Sequence, residues 1–181
     1  VQISMNNSNE AANLFQRAMK LDKKNPDAYV GLAKVKMAQG HPDQAVETLE
    51  EGLKKIPKSG ALWNELGIAR TQMKQLPEAV TALEKAHQFD PESTLYLGNL
   101  GSVLIVQGDT QNAYKCFSKF MSSADAHVRI GEVLGGQGKL SEAREHFRSA
   151  VEAEPNHPRA GMLLVQSTKE SVQPVDYRTS R

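Results

Sequence analysis

A single cysteine, Cys116, is present in 181 residues, so an intrachain disulfide and a cysteine-ligated zinc site are both excluded. Charge of one sign is equally scarce. Lys and Arg number 22 against 21 Asp and Glu, a net charge of +1, which removes the sustained basic excess that nucleic-acid binding or adhesion to a membrane surface requires. Any polar recognition must therefore be local. No apolar run approaches the roughly 20 residues of a membrane-spanning helix, and the opening VQISMNNSNE has neither a basic n-region nor an apolar h-region. The chain opens on Val1 rather than Met, which predicts a fragment or a processed product. Hydrophobic residues make up 39% of the chain, enough for one compact domain or two small ones.

What the sequence does contain is a period. Tyr29, Trp63 and Leu97 stand 34 residues apart, and each is followed three residues later by Leu32, Leu66 and Leu100. A small residue comes next each time: Ala33, Gly67, Gly101. Ala45, Ala79 and Ala113 keep the same spacing, as do Leu49, Leu83 and Phe117, and Pro57 and Pro91 close the first two units. A fourth copy reads His127, Ile130, Gly131, Ala143, Phe147, Ala150 and Pro155, starting 30 residues after the third. That shortening is expected in the turn from Met121 to Asp125. Partial copies flank the four, with Ala11, Phe15 and Ala18 before them and Pro158 to Glu170 after.

Within each unit the apolar residues recur at helical spacing in two blocks, for instance Tyr29, Leu32, Val35 and then Ala45, Val46, Leu49, Leu53. Two amphipathic helices per unit follow. The small residue of the first helix and the Ala opening the second lie where the two backbones come closest. Gly40, Gly108 and Gly138 fall where a left-handed C-cap favours glycine, and Lys74 takes that place in the second unit at an expected cost of about 1 kcal/mol. Pro42, Pro57, Pro77, Pro91 and Pro155 fall in turns or first helical turns. Stacking such hairpins predicts an all-α, right-handed α-solenoid. The expected divisions are a disordered 1–8, a half repeat 9–25, repeats 26–59, 60–93, 94–123 and 124–157, a capping helix 158–170 and a disordered tail 171–181.

The pattern W-x2-L-G, then A-x3-F, then P resembles the tetratricopeptide repeat family over residues 9 to 170. The runs ALWNELGIARTQM and LGNLG, with the shortened turn after them, resemble more narrowly the tetratricopeptide lipoproteins of tight-adherence (Flp) pilus assembly. That likeness implies a bacterial, non-catalytic assembly factor, periplasmic or at the outer membrane, with a lipidated Cys at the mature N-terminus where this chain has Val1. Otherwise a cytoplasmic protein is expected.

No catalytic constellation appears. His41, His87, His127, His146 and His157 show no HExxH or i, i+4 pairing and are expected on turns or exposed faces, so neither a metal nor a cofactor is expected. Cys116 reads as a small buried hydrophobe, and Gly135, Gly136 and Gly138 lack the strand and the Lys-Ser/Thr of a phosphate loop. An intrinsic enzyme is not expected. Solenoids instead offer a concave face lined by first helices, here Val30, Lys34, Met37, Asn64, Ile68, Gln72, Gly98, Asn99, Ser102, Ile105, Val128 and Glu132, with Arg129 at its border. Of the five-residue clamp with which some family members grip chaperone C-termini, only Asn99 and Arg129 are in place, which argues against that ligand. The expected function is a non-enzymatic scaffold binding a peptide or partner helix, one candidate setting being the assembly of a bacterial surface or secretion structure. The alternative is an accessory segment of a larger glycosyl- or sulfo-transferase, and self-association through the N-terminal end is a third expectation.

Overall fold

A computed structural model describes residues 2–170, with side chains over 7–168. Among the described residues there are ten helices and no strand, an all-α helical-repeat solenoid as the periodicity requires. These are α1 (Gln2–Leu21), α2 (Pro26–Ala38), α3 (Pro42–Lys55), α4 (Gly60–Gln72), α5 (Leu76–Phe89), α6 (Thr94–Gln107), α7 (Thr110–Phe117), α8 (Ser123–Gly136), α9 (Leu140–Ala153) and α10 (Ala160–Glu170). Where one uninterrupted array was expected, the chain divides into two compact units, Val1–Val103 and Leu104–Arg181, with the boundary inside α6.

Two expected boundaries differ. The helix expected from residue 9 starts at Gln2, so the stretch expected to be disordered is helical from Gln2 onward. Its polar Asn and Ser residues are weak helix formers, yet the amphipathic helix behind them carries the backbone hydrogen bonds upstream. The expected tail 171–181 lies outside the described residues. The missing four residues of the fourth period are taken from α7 rather than from the turn. α7 has 8 residues where α3, α5 and α9 have 14. Beyond it, Ser118 and Met121 donate their N–H groups to the carbonyls of Tyr114 and Phe117, and Ser122 caps α8 through the N–H of Asp125 at 3.0 Å.

In the first unit, Tyr29, Ala33, Ala45, Leu49, Leu53, Leu62, Leu66, Ala69 and Ala82 form one buried cluster across α2 to α5. Each fully buried Leu contributes roughly 1.5–3 kcal/mol. Close approach depends on a missing side chain at Gly67, where a Cβ would stand 2.5 Å from Leu83 Cγ and 3.1 Å from the Ala79 carbonyl oxygen. In the second unit Ala124, Val128, Ala150 and Ala160 are buried together, and a Cβ on Gly131 would stand 2.5 Å from the ring of Phe147. Lys74 has φ 61°, matching Gly40, Gly108 and Gly138 at 81°, 96° and 77°. Its geometry is that of a Schellman turn, with the Gln75 N–H on the Arg70 carbonyl at 2.9 Å.

Candidate partner-binding surface

The first helices α2 and α4 pack side by side in the first unit, and α6 reaches α4 through its side chains. Because residues four apart share a helical face, Asn64, Ile68 and Gln72 align along α4 as Val30, Lys34 and Met37 do along or beside one face of α2. The polar members of this surface are joined. Lys34 Nζ lies 3.2 Å from Glu65 Oε1, and Asn64 Nδ2 approaches the same oxygen at 3.4 Å. Asn99 Nδ2 donates to Asn64 Oδ1 at 2.7 Å. A polar chain therefore runs from α2 through α4 to α6.

Burial grades this chain. Asn64 is 2% exposed and Glu65 7%, while Lys34 is exposed at one end and Asn99 half-buried at the other. A buried carboxylate and amide are tolerable because each has a partner. The carboxylate of Glu65 also acts at a distance on Tyr96, whose phenol is raised above its ordinary value by burial first, then by Asp90 and Glu65.

The expected contact residues are thus sorted. Lys34 and Gln72 are exposed, and Val30, Met37, Ile68, Asn99 and Ser102 are half-buried. Val30 and Met37 also pack against the core cluster, and the Ser102 hydroxyl donates to the Gly98 carbonyl at 2.8 Å. Asn64 is buried and committed to its two neighbours, so it organises the surface from beneath. In the second unit Ile105 is 0% exposed and Val128 4%, and neither can meet a partner. Both were expected on the open face; the apolar character that suggested a contact is what places them in the interior. Arg129 is exposed, whereas Glu132 accepts an ion pair from Arg159, just before α10.

Sequence reasoning missed Glu65, since its exposed-type side chain sits one position beyond the expected stripe. It also misplaced the histidines. Only His41 is exposed; His87, His127, His146 and His157 are half-buried. His157 Nε2 donates to Asp125 Oδ1 at 3.0 Å, and that contact first, with the Ser122 hydroxyl second, holds Asp125 below the usual carboxylate range. Cys116 is buried, as expected. Among the described residues no group of three or more His, Cys, Asp or Glu gathers as a metal cage, and no helix is long and apolar enough to cross a membrane.

Comparison with known proteins places this geometry. The family model of the cilia and flagella-associated protein 70 C-terminal domain matches residues 1–173. The CTR9 homolog of Arabidopsis thaliana is 30% identical over 149 residues, covering 79% of this chain and 14% of its own length. The probable UDP-N-acetylglucosamine–peptide N-acetylglucosaminyltransferase SPINDLY of Hordeum vulgare is 24% identical over 163 residues, covering 84% of this chain and 17% of its own. Among solved structures, YrrB, a TPR protein with an unusual peptide-binding site, superposes with a TM-score of 0.62 at 23% identity, covering 92% of this chain and 86% of that one. The tetratricopeptide repeat fold is thereby shown. The chain spans only a small part of the two relatives.

Proposed function

This chain belongs to the family of the cilia and flagella-associated protein 70 C-terminal domain, and from that premise we propose that it is a non-catalytic interaction scaffold. It receives an extended peptide or a partner helix along the α2, α4 and α6 face of its first unit, within a ciliary or flagellar assembly. The observation that carries the reading is the chain of Lys34, Glu65, Asn64 and Asn99. It fixes charged and amide groups across adjacent first helices, beside the half-buried Ile68 and Met37, which is the mixture that engages peptide backbone and apolar side chains together. Repeat folds of this kind act typically as scaffolds.

The test uses photo-crosslinking residues placed singly at Gln72 and, as a control, at the exposed Glu84 of α5. In an extract of ciliated cells, a discrete adduct is expected from Gln72 and none from Glu84. Lys34→Ala, introduced into the chain that carries the crosslinking residue at position 72, should weaken the adduct while the helical circular dichroism is unchanged. Adducts from Glu84 alone would move the interaction to another face.

A second reading, an accessory segment of a larger glycosyltransferase, is supported by the name of the barley relative and by the small share of it that this chain covers. The coding sequence on either side of Val1 and Arg181 decides between them. Assembly of a bacterial surface or secretion structure has less behind it, because its supporting residues are general to the repeat while the family match points to cilia and flagella. Self-association through α1 is supported by Leu14 and Leu21, 57% and 88% exposed, and Leu14→Glu would abolish any dimer seen by sedimentation.

A further inference from the structure

Outside the peptide face, two imidazoles meet in the second unit. His127 is the fifth residue of α8 and His146 the seventh of α9, and their Nδ1 atoms stand 3.1 Å apart. The sequence separates them by nineteen positions, and the hairpin brings them together. Gly131, one turn further along the same face of α8, leaves the space into which Phe147 fits, so the two helices approach closely at this level. The rings are held in orientation. Tyr114 of α7 lies over His127 with centroids 4.8 Å apart and a tilt of 32°, and its hydroxyl is fixed to Ser123 Oγ at 3.0 Å. His127 and His146 have centroids 5.3 Å apart at 36°.

We propose that His127 and His146 form a bidentate site for a late first-row divalent cation, Cu2+, Ni2+ or Zn2+, bound through both Nδ1 atoms with solvent completing the coordination. The geometry carries it. Imidazole nitrogens bind such ions at about 2.0–2.1 Å, and with those bonds a 3.1 Å separation subtends about 95–102° at the metal, between the octahedral and tetrahedral angles. Two nitrogens so close repel unless a proton or a cation lies between them. A proton serves only if one ring is its donor and the other its acceptor, whereas a cation satisfies both lone pairs at once. Burial holds both imidazoles below their ordinary value, so both are in the neutral, ligating form at pH 7. Half-burial leaves a solvent side from which water ligands enter, and the Glu142 carboxylate, one turn before His146 on α9, adds negative potential there. The bound ion would tie α8 to α9 directly.

The experiment titrates the untagged chain 1–181, labelled with 15N in its histidine rings, with ZnCl2 and separately with NiCl2. Saturation at one equivalent is expected, with the Nδ1 signals of His127 and His146 moving together while those of His41, His87 and His157 stay. Affinity should fall by at least about tenfold in His127→Gln and in His146→Gln. The thermal midpoint of the parent chain and of His41→Gln should rise with zinc, and that of His146→Gln should not. Copper should compete zinc out, following the order of divalent affinities. A chain whose five histidines shift alike, or whose two variants bind as the parent does, overturns the site and leaves a hydrogen-bonded histidine pair only.

Discussion

Asn99 on α6 donates a 2.7 Å hydrogen bond to Oδ1 of Asn64 on α4, thirty-five residues earlier, and Asn64 is buried while it accepts. A buried amide held this way is stabilising only as long as its partner is present. Replacing it strands the groups around it. Asn64→Ala removes partners from both Asn99 and Glu65, and we expect a loss of about 1–3 kcal/mol in urea unfolding. Asn99→Ala, at a half-buried position, should cost about 1 kcal/mol. A negligible cost for Asn99→Ala would mean that water replaces the Asn99 donor.

Lys74 occupies a left-handed conformation at φ 61° that its side chain disfavours. Lys74→Gly should therefore raise stability by about 0.5–1 kcal/mol, visible as a higher urea midpoint with unchanged slope. The reverse change, Gly138→Lys, should lower it by a similar amount, because Gly138 at φ 77° holds the same place in the fourth unit.

Gly131 admits the Phe147 ring. With a Cβ at 2.5 Å from that ring, Gly131→Ala forces either the Phe147 side chain or α8 to move, and a loss of about 1–3 kcal/mol is expected. Gly135→Ala on the same helix meets only the Ala143 Cβ at 3.9 Å and should be neutral or stabilising. A thermal melt of both variants distinguishes local crowding from a general effect of alanine.

The histidine pair gives stability a pH dependence of definite sign. His127 is lowered from 6.5 by burial, and His146 by burial first and by His127 second, with Glu142 acting in the opposite direction. Tyr114 of α7 also lies against the pair. Since the folded values lie below the unfolded ones, the unfolded chain takes up protons first as pH falls. The contribution is fully present above pH 6.5 and is lost as pH drops through the folded values. With a chelator present, the urea midpoint should decline from about pH 7.5 to about pH 5.5, and His127→Gln with His146→Gln should flatten that decline. Asp125, lowered by His157 and Ser122, acts with the same sign, its contribution being present above the ordinary carboxylate value of 3.8 and lost as pH falls below it.

Much of this molecule was legible in one dimension. The spacing of Tyr29, Trp63 and Leu97 with Leu32, Leu66 and Leu100 specifies helical hairpins, because a helix displays every third and fourth residue on one face whatever its surroundings. The same holds for Lys74 and for the close approaches at Gly67 and Gly131, where backbone geometry and side-chain size decide locally. Boundaries were less legible. The shortened period could have been absorbed by a turn or a helix, and only the packing after Phe117 assigns it to α7.

The candidate surface was half legible. Lys34 and Gln72 stand exposed on the expected stripe, while Ile105 and Val128 are inside. Helical periodicity gives the direction in which a residue points but not what lies opposite it. By itself, then, the sequence determined the repeat, the helical hairpin and the small residues at each crossing. Only tertiary structure decided that Asn64 is a buried hydrogen-bond partner of Asn99 and that His127 faces His146. Both pairings join residues on different helices, and their distances depend on how closely two backbones pack, a quantity that no single helix contains.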